Sequence, residues 1–97
     1  MNKLESYYPV ICARHCQPLV DFFMQHLQFE AAFSSDWYWH LCLPDNPNVN
    51  IAIVDHLHPS VPEGYRATAR GLILNFEMNE VAYFYGNAQA NNWDILL

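Results

Sequence analysis

Short apolar stretches alternating with polar positions dominate this chain, and one longer stretch repeats with helical spacing instead. "YYPVICA" (7–13) is β-branched and aromatic and predicts a strand. Pro18 follows, a residue tolerated where a first helical turn needs no backbone donor. From there Leu19, Val20, Phe23, Met24 and Leu27 fall on one helical stripe, widened by Phe22, with Asp21, Gln25 and Gln28 away from it. The spacing therefore predicts an amphipathic helix over 18–28. "FEAAF" (29–33), "WYWHLCL" (37–43) and "VNIAIVD" (49–55) predict three further strands, separated by "SSD" and "PDNPN" turns. The first part of the chain reads as βαβββ.

Residues 56–70, with Pro59, Pro62 and Gly64, predict a linker between two modules. Beyond it "GLILNFEM" (71–78) predicts a strand, Asn79 an N-cap for a helix over 80–90, and "WDILL" (93–97) a last strand. Gly86 weakens that second helix by about 1 kcal/mol relative to Ala. The expectation is an α+β protein of one domain, 1–97: a first module at about 7–55, a linker at 56–70 and an incomplete βαβ module at 71–97. An unpaired apolar edge beside Trp93 to Leu97 would favour association, so the expectation is a homodimer, formed by simple pairing or by strand exchange, or else a truncated product.

Composition narrows the function. The 97 residues are 53% hydrophobic and 14% charged, enough apolar material for a core. Four Lys plus Arg and a net charge of −6 leave no cationic density for nucleic acid and none for an anionic membrane. No apolar run approaches bilayer length, and "MNKLESYY" lacks the apolar core of a leader. Three cysteines leave one unpaired in any full disulfide scheme, which favours a reducing, cytoplasmic location.

The candidate chemistry is sparse. Asp55, His56 and His58 crowd into four residues, but beside Pro59 they are expected to form a solvated turn that bonds backbone groups. Cys12, His15, Cys16, His40 and Cys42 have loosely zinc-like spacing, yet Cys12 and Cys42 lie in apolar strands, where free cysteine packs as a small hydrophobe. Cys16 precedes the helix, whose positive end could depress its pKa and make a reactive thiol, but an ordinary structural cysteine is the expected reading. His26 is expected as an edge contact of the helix. No phosphate loop, nucleophile elbow or paired-carboxylate arrangement is present, and no catalytic residue is assigned.

"PLVDFF" with Leu27 and Phe29, "DWYWHL" followed by "NIAIVDHLHP", and "GLILNFEM", in this order, resemble the glyoxalase/bleomycin-resistance/extradiol-dioxygenase superfamily, the vicinal oxygen chelate fold. The resemblance covers nearly the whole chain. It departs at Gln28, where the family usually has Gly, and in the missing last strands of the second module. It implies metal ligands on inward-facing strand positions, which map here to Tyr8, Ala52 and Leu72; these residues are unsuited to holding a cation. Neither a metal nor another cofactor is expected.

Period-two alternation from these positions adds Val10, Cys12, Asn50, Val54, Leu74 and Phe76 to the same wall and turns Ile51 and Ile53 toward the helix. The strand at 37–43 offers either Trp37, Trp39 and Leu41 or Tyr38, His40 and Cys42. The candidate ligand-binding residues are Tyr8, Val10, Trp37, Trp39, Asn50, Ala52, Leu72 and Leu74. The implied function is metal-free binding of a planar or amphipathic organic compound. Two alternatives stand beside it: a metal-dependent lyase, isomerase or dioxygenase of the same superfamily, and a non-catalytic assembly domain.

Overall fold

In a computed structural model of the chain, which describes residues 2–77, one helix packs on a four-stranded mixed sheet, giving a small α+β domain. The elements are β1 (Val10–Ala13), α1 (Cys16–His26), β2 (Glu30–Ser34), β3 (Tyr38–Cys42) and β4 (Asn50–Asp55), followed by a short 3-10 turn at Glu63–Tyr65. The βαβββ order matches the hydrophobic pattern. The sheet order is β1-β4-β3-β2. β2, β3 and β4 form an antiparallel meander, and β1 lies parallel to β4, as a strand reached through a helical crossover can.

The register assigns every side chain to a face. Val10 pairs with Ala52 and Cys12 with Val54, while Tyr38, His40 and Cys42 pair with Val54, Ala52 and Asn50. Paired residues share a face of the sheet. Val10, Cys12, Asn50, Ala52, Val54, Tyr38, His40 and Cys42 therefore look away from the helix. Ile11, Ala13, Trp39, Leu41, Ile51 and Ile53 look toward it and join Cys16, Leu19, Val20, Phe23 and Leu27 in one buried cluster. β4 is buried over Ile51–Val54, apolar on both faces because it lies inside the sheet.

The helix differs from the sequence expectation in its bounds and at one position of its stripe. The helix begins at Cys16, so Pro18 is its third residue, still within the turn whose N–H groups have no intrahelical acceptor. Met24, expected on the buried stripe, is exposed at its edge. A larger correction concerns 71–78: no strand forms over 71–77, the described part of that segment. Its neighbour Ala69 donates one hydrogen bond, 2.9 Å, to the Cys12 carbonyl of β1, the outer strand among the described residues. The chain then leaves that edge, and Leu74 and Phe76 pack against the helix-side cluster, with the Phe76 ring 5.9 Å from that of Phe23. Strand hydrogen bonding needs a continuous partner edge, and burial on Phe23 takes the segment elsewhere. The helix at 80–90 and the strand at 93–97 lie outside the described residues.

The exit from α1 explains how the chain dispenses with glycine. The Phe23 carbonyl accepts hydrogen bonds from Leu27 N–H, 3.2 Å, and Phe29 N–H, 3.1 Å, the second closing a loop one residue wider than the 6→1 bond of a Schellman end. This requires a left-handed residue between them, and Gln28 takes φ +63°. The Phe23 and Phe29 rings meet edge to face at 5.3 Å, the hydrophobic contact that accompanies such ends. Gln28→Gly should relieve this conformation and stabilise the domain by roughly 0.5–1 kcal/mol, after allowing for glycine's larger unfolded-state entropy. A thermal melt would register this as a rise of a few degrees; an unchanged or lower Tm would contradict it.

Candidate functional site

Two concavities lie on the helix side of the sheet. The first is an open-mouthed cavity of about 340 Å³ between the C-terminal end of α1, the start of β4 and the segment at 74–77. Phe23, Leu27, Phe29, Leu43, Ile51 and Phe76 supply apolar walls, and Asn50, Asn75 and Glu77 are its polar members. Its walls come from the ends of elements, where the two layers diverge and side chains no longer interdigitate.

Asn50 borders this cavity as the first residue of β4, while its pairing with Cys42 turns its side chain to the other face of the sheet. Its amide nitrogen donates to the Asn48 carbonyl at 2.8 Å, which fixes the orientation of the amide. Its amide oxygen is buried and has no hydrogen-bond partner among the described residues. A buried acceptor without a donor costs about 1–3 kcal/mol.

The second concavity, about 350 Å³, is polar and lined by Arg14, Cys16, Gln17, Ser35, Asp36, Trp39 and Asp55. Cys16 is the group that would carry chemistry there. It is the ordinary structural cysteine expected from the sequence, not a thiol activated by the helix N-terminus. Burial pushes the Cys16 thiol above its ordinary pKa, and the negative charge of Asp55 and then Cys12 add to the shift. The thiol also donates to the Ala13 carbonyl at 3.6 Å. Desolvation outweighs the helix dipole, and among the described residues no imidazole lines this cleft to act as a base.

The face turned away from the helix carries a different set. The Tyr8 and His40 rings meet edge to face at 4.4 Å, which puts Tyr8 beside Ala52 and Val10. Burial pushes the Tyr38 hydroxyl above the usual phenol range, and a hydrogen bond and the charge of Tyr8 raise it further. Val10 is 50% and Phe33 57% exposed beside this group.

The eight sequence candidates are therefore dispersed. Tyr8, Val10 and Ala52 share the face away from the helix. Trp39 belongs to the helix-side core, which settles the choice left open for β3 in favour of Tyr38, His40 and Cys42. Asn50 and Leu74 line the apolar cavity, so Leu74 does not join Ala52, and neither does Phe76. Leu72 is exposed, and the expected common wall of Tyr8, Ala52 and Leu72 does not form as one strand surface. Trp37 stacks flat on His58, with ring centroids 3.5 Å apart and planes 4° from parallel.

That stack accounts for part of the Asp55-His56-Leu57-His58 cluster. His58 Nδ1 accepts from Ser60 N–H at 3.1 Å and lies 2.8 Å from its hydroxyl. His56 Nδ1 lies 3.2 Å from the Ala13 carbonyl, and Asp55 accepts from Leu57 N–H at 2.9 Å. The two imidazoles thus engage different partners. Among the described residues no three His, Cys, Asp or Glu side chains come together as metal ligands would. No helix among these residues is long and apolar enough to cross a membrane.

Compared with known proteins, the chain matches no family model and no curated protein.

The raised pKa values of Cys16 and Tyr38 have a definite sign. The folded state holds both protons more tightly, so their contribution is complete below the unfolded thiol's pKa and is lost as pH rises above about 8.5. The urea midpoint should therefore fall on the alkaline side, and Cys16→Ala should delay the onset of that fall. A midpoint that rises above pH 9 would contradict the assignment. Iodoacetamide at pH 8, read by peptide mass mapping, should label partly buried Cys12 and Cys42 before Cys16.

Proposed function

We propose that this domain is a glyoxalase-like module that binds a small planar or amphipathic organic molecule without a metal. The apolar cavity carries the reading. Ligand sites are typically concave, largely apolar and furnished with few polar groups, at volumes of roughly 300–1,000 Å³. The cavity beside Phe23 and Asn50 fits the lower end of that range. The βαβββ order and the left-handed residue at the helix exit support the family resemblance. Tyr8 and Ala52 supply no ligand suited to a divalent ion, which supports the metal-free form over a metal-dependent lyase, isomerase or dioxygenase.

Calorimetry against a panel of planar organic compounds tests this reading. At least one compound should bind, and binding should survive exhaustive chelation. Loss of binding on chelation, restored by a divalent ion, would favour the metal-dependent alternative; a panel with no binder would remove the proposal.

A second reading, the assembly domain, is favoured by the exposed Val10 and Phe33 flanking the Tyr8, His40 and Tyr38 group. A second copy of the chain laid on this face would cover them. Sedimentation at micromolar concentration should then show a dimer that Phe33→Glu converts to monomer. A wild-type monomer would exclude this role.

A further inference from the structure

We infer that the polar cleft at the N-terminal end of α1 binds a small zwitterion, a molecule carrying one carboxylate and one ammonium group. This site is independent of the apolar cavity and of whatever that cavity holds.

Trp39 supplies the first reason. It is only 9% exposed and its pairing with Ile53 turns it toward the helix, where it lines the cleft. Its indole N–H has no acceptor among the described residues, and it is not sealed from solvent. A buried indole ordinarily finds a partner for this group. Here the donor is left at the wall of a concavity, available to an acceptor from outside the chain.

The charges supply the second reason. Most polar groups of the lining are already committed: the Ser35 hydroxyl to the backbone of Tyr38, Gln17 to Asp21 at 2.8 Å, and Asp55 to the Leu57 N–H at 2.9 Å. Arg14 and Asp36 are not. Both line the cleft, and among the described residues neither makes a hydrogen bond or an ion pair, even with the other. Opposite charges left apart around a space of about 350 Å³ complement a ligand whose own two charges are apart.

The free groups divide by sign. The Arg14 guanidinium and the Trp39 N–H both suit a carboxylate, and Asp36 suits an ammonium. The first turn of α1 reinforces the positive side, since it has neither a side-chain cap at His15 nor an acidic residue. A plain carboxylate would meet Asp36, Asp55 and a chain of net charge −6. A plain amine would leave Arg14 and the indole N–H unanswered. A molecule bearing both charges satisfies both halves.

NMR titration of the isotope-labelled full chain tests this, because the three Trp residues give separate indole N–H signals and Trp39→Phe identifies the one that matters. Glycine, β-alanine and γ-aminobutyrate offer the two charges at increasing separation, with propionate and propylamine as controls of single charge. At least one zwitterion should shift the Trp39 signal saturably and bind about fivefold tighter than either control, the upper end expected for one additional, partly exposed charge pair. Arg14→Gln and Asp36→Asn change exposed side chains, and each should weaken that zwitterion about fivefold. Asp36→Asn should leave propionate binding equal or stronger.

If no zwitterion moves the Trp39 signal, or if both charge variants bind it as the parent does, the site is removed. If either control binds as tightly as the best zwitterion, the assignment of a doubly charged ligand is overturned. Neither result bears on the apolar cavity.

Discussion

The carbonyl oxygen of Phe23 receives two hydrogen bonds, and the ring of the same residue touches Phe22, Phe29 and Phe76. One residue thus ends the helix, sets where β2 begins and provides the floor on which the segment after the linker packs. The double acceptance forces Gln28 into a left-handed conformation that costs about 1–2 kcal/mol in a residue with a Cβ. Burial of two aromatic rings against each other offsets it. Phe23 is 1% exposed, so its truncation would cost on the order of 3–5 kcal/mol. The helix exit, the core and the cavity wall would then be lost together, since all three use this one side chain.

The two layers pack closely around Ile11, Leu41 and Ile53, where alternating sheet residues and a helical stripe interdigitate, and a concavity opens on either side of that centre, one beside Cys16 and Trp39 and one beside Leu27 and Leu43. At the second of these the helix has stopped and the connection between β3 and β4 turns back, so residues just outside regular elements furnish much of its wall. Asn50 occupies the seam, the first residue of β4 and a neighbour of Cys42 across the sheet.

Much of the architecture was legible in the residues. Helical spacing of Leu19, Val20, Phe23 and Leu27 and alternation through Asn50–Asp55 located α1 and β4, because each pattern reports one buried face directly. Alternation reports which residues share a side, not which side it is. Leu74 and Phe76 do act together, but against the helix; Trp39 is turned inward by its pairing with Ile53, which no local pattern reveals. The site was less legible still. Leu27, Phe29, Leu43 and Val49 come together only once the sheet order is fixed, and each looks like an ordinary core or boundary residue in the chain. The flat contact between Trp37 and His58 joins segments distant in sequence and is equally silent there.

The edge of the sheet formed by β2 repays a last look. Its pairing with β3 slips between Ala31 and Phe33, so Ala32 is an extra residue and the outer row of amides is not evenly spaced. An incoming strand docking there would find its donors and acceptors out of step after a single residue. Fibrillar stacking through this edge is therefore self-limiting, although every residue of β2 stands open to solvent. A one-residue irregularity, next to the exposed charge of Glu30, gives this small sheet a built-in stop against polymerisation, and it does so without a proline.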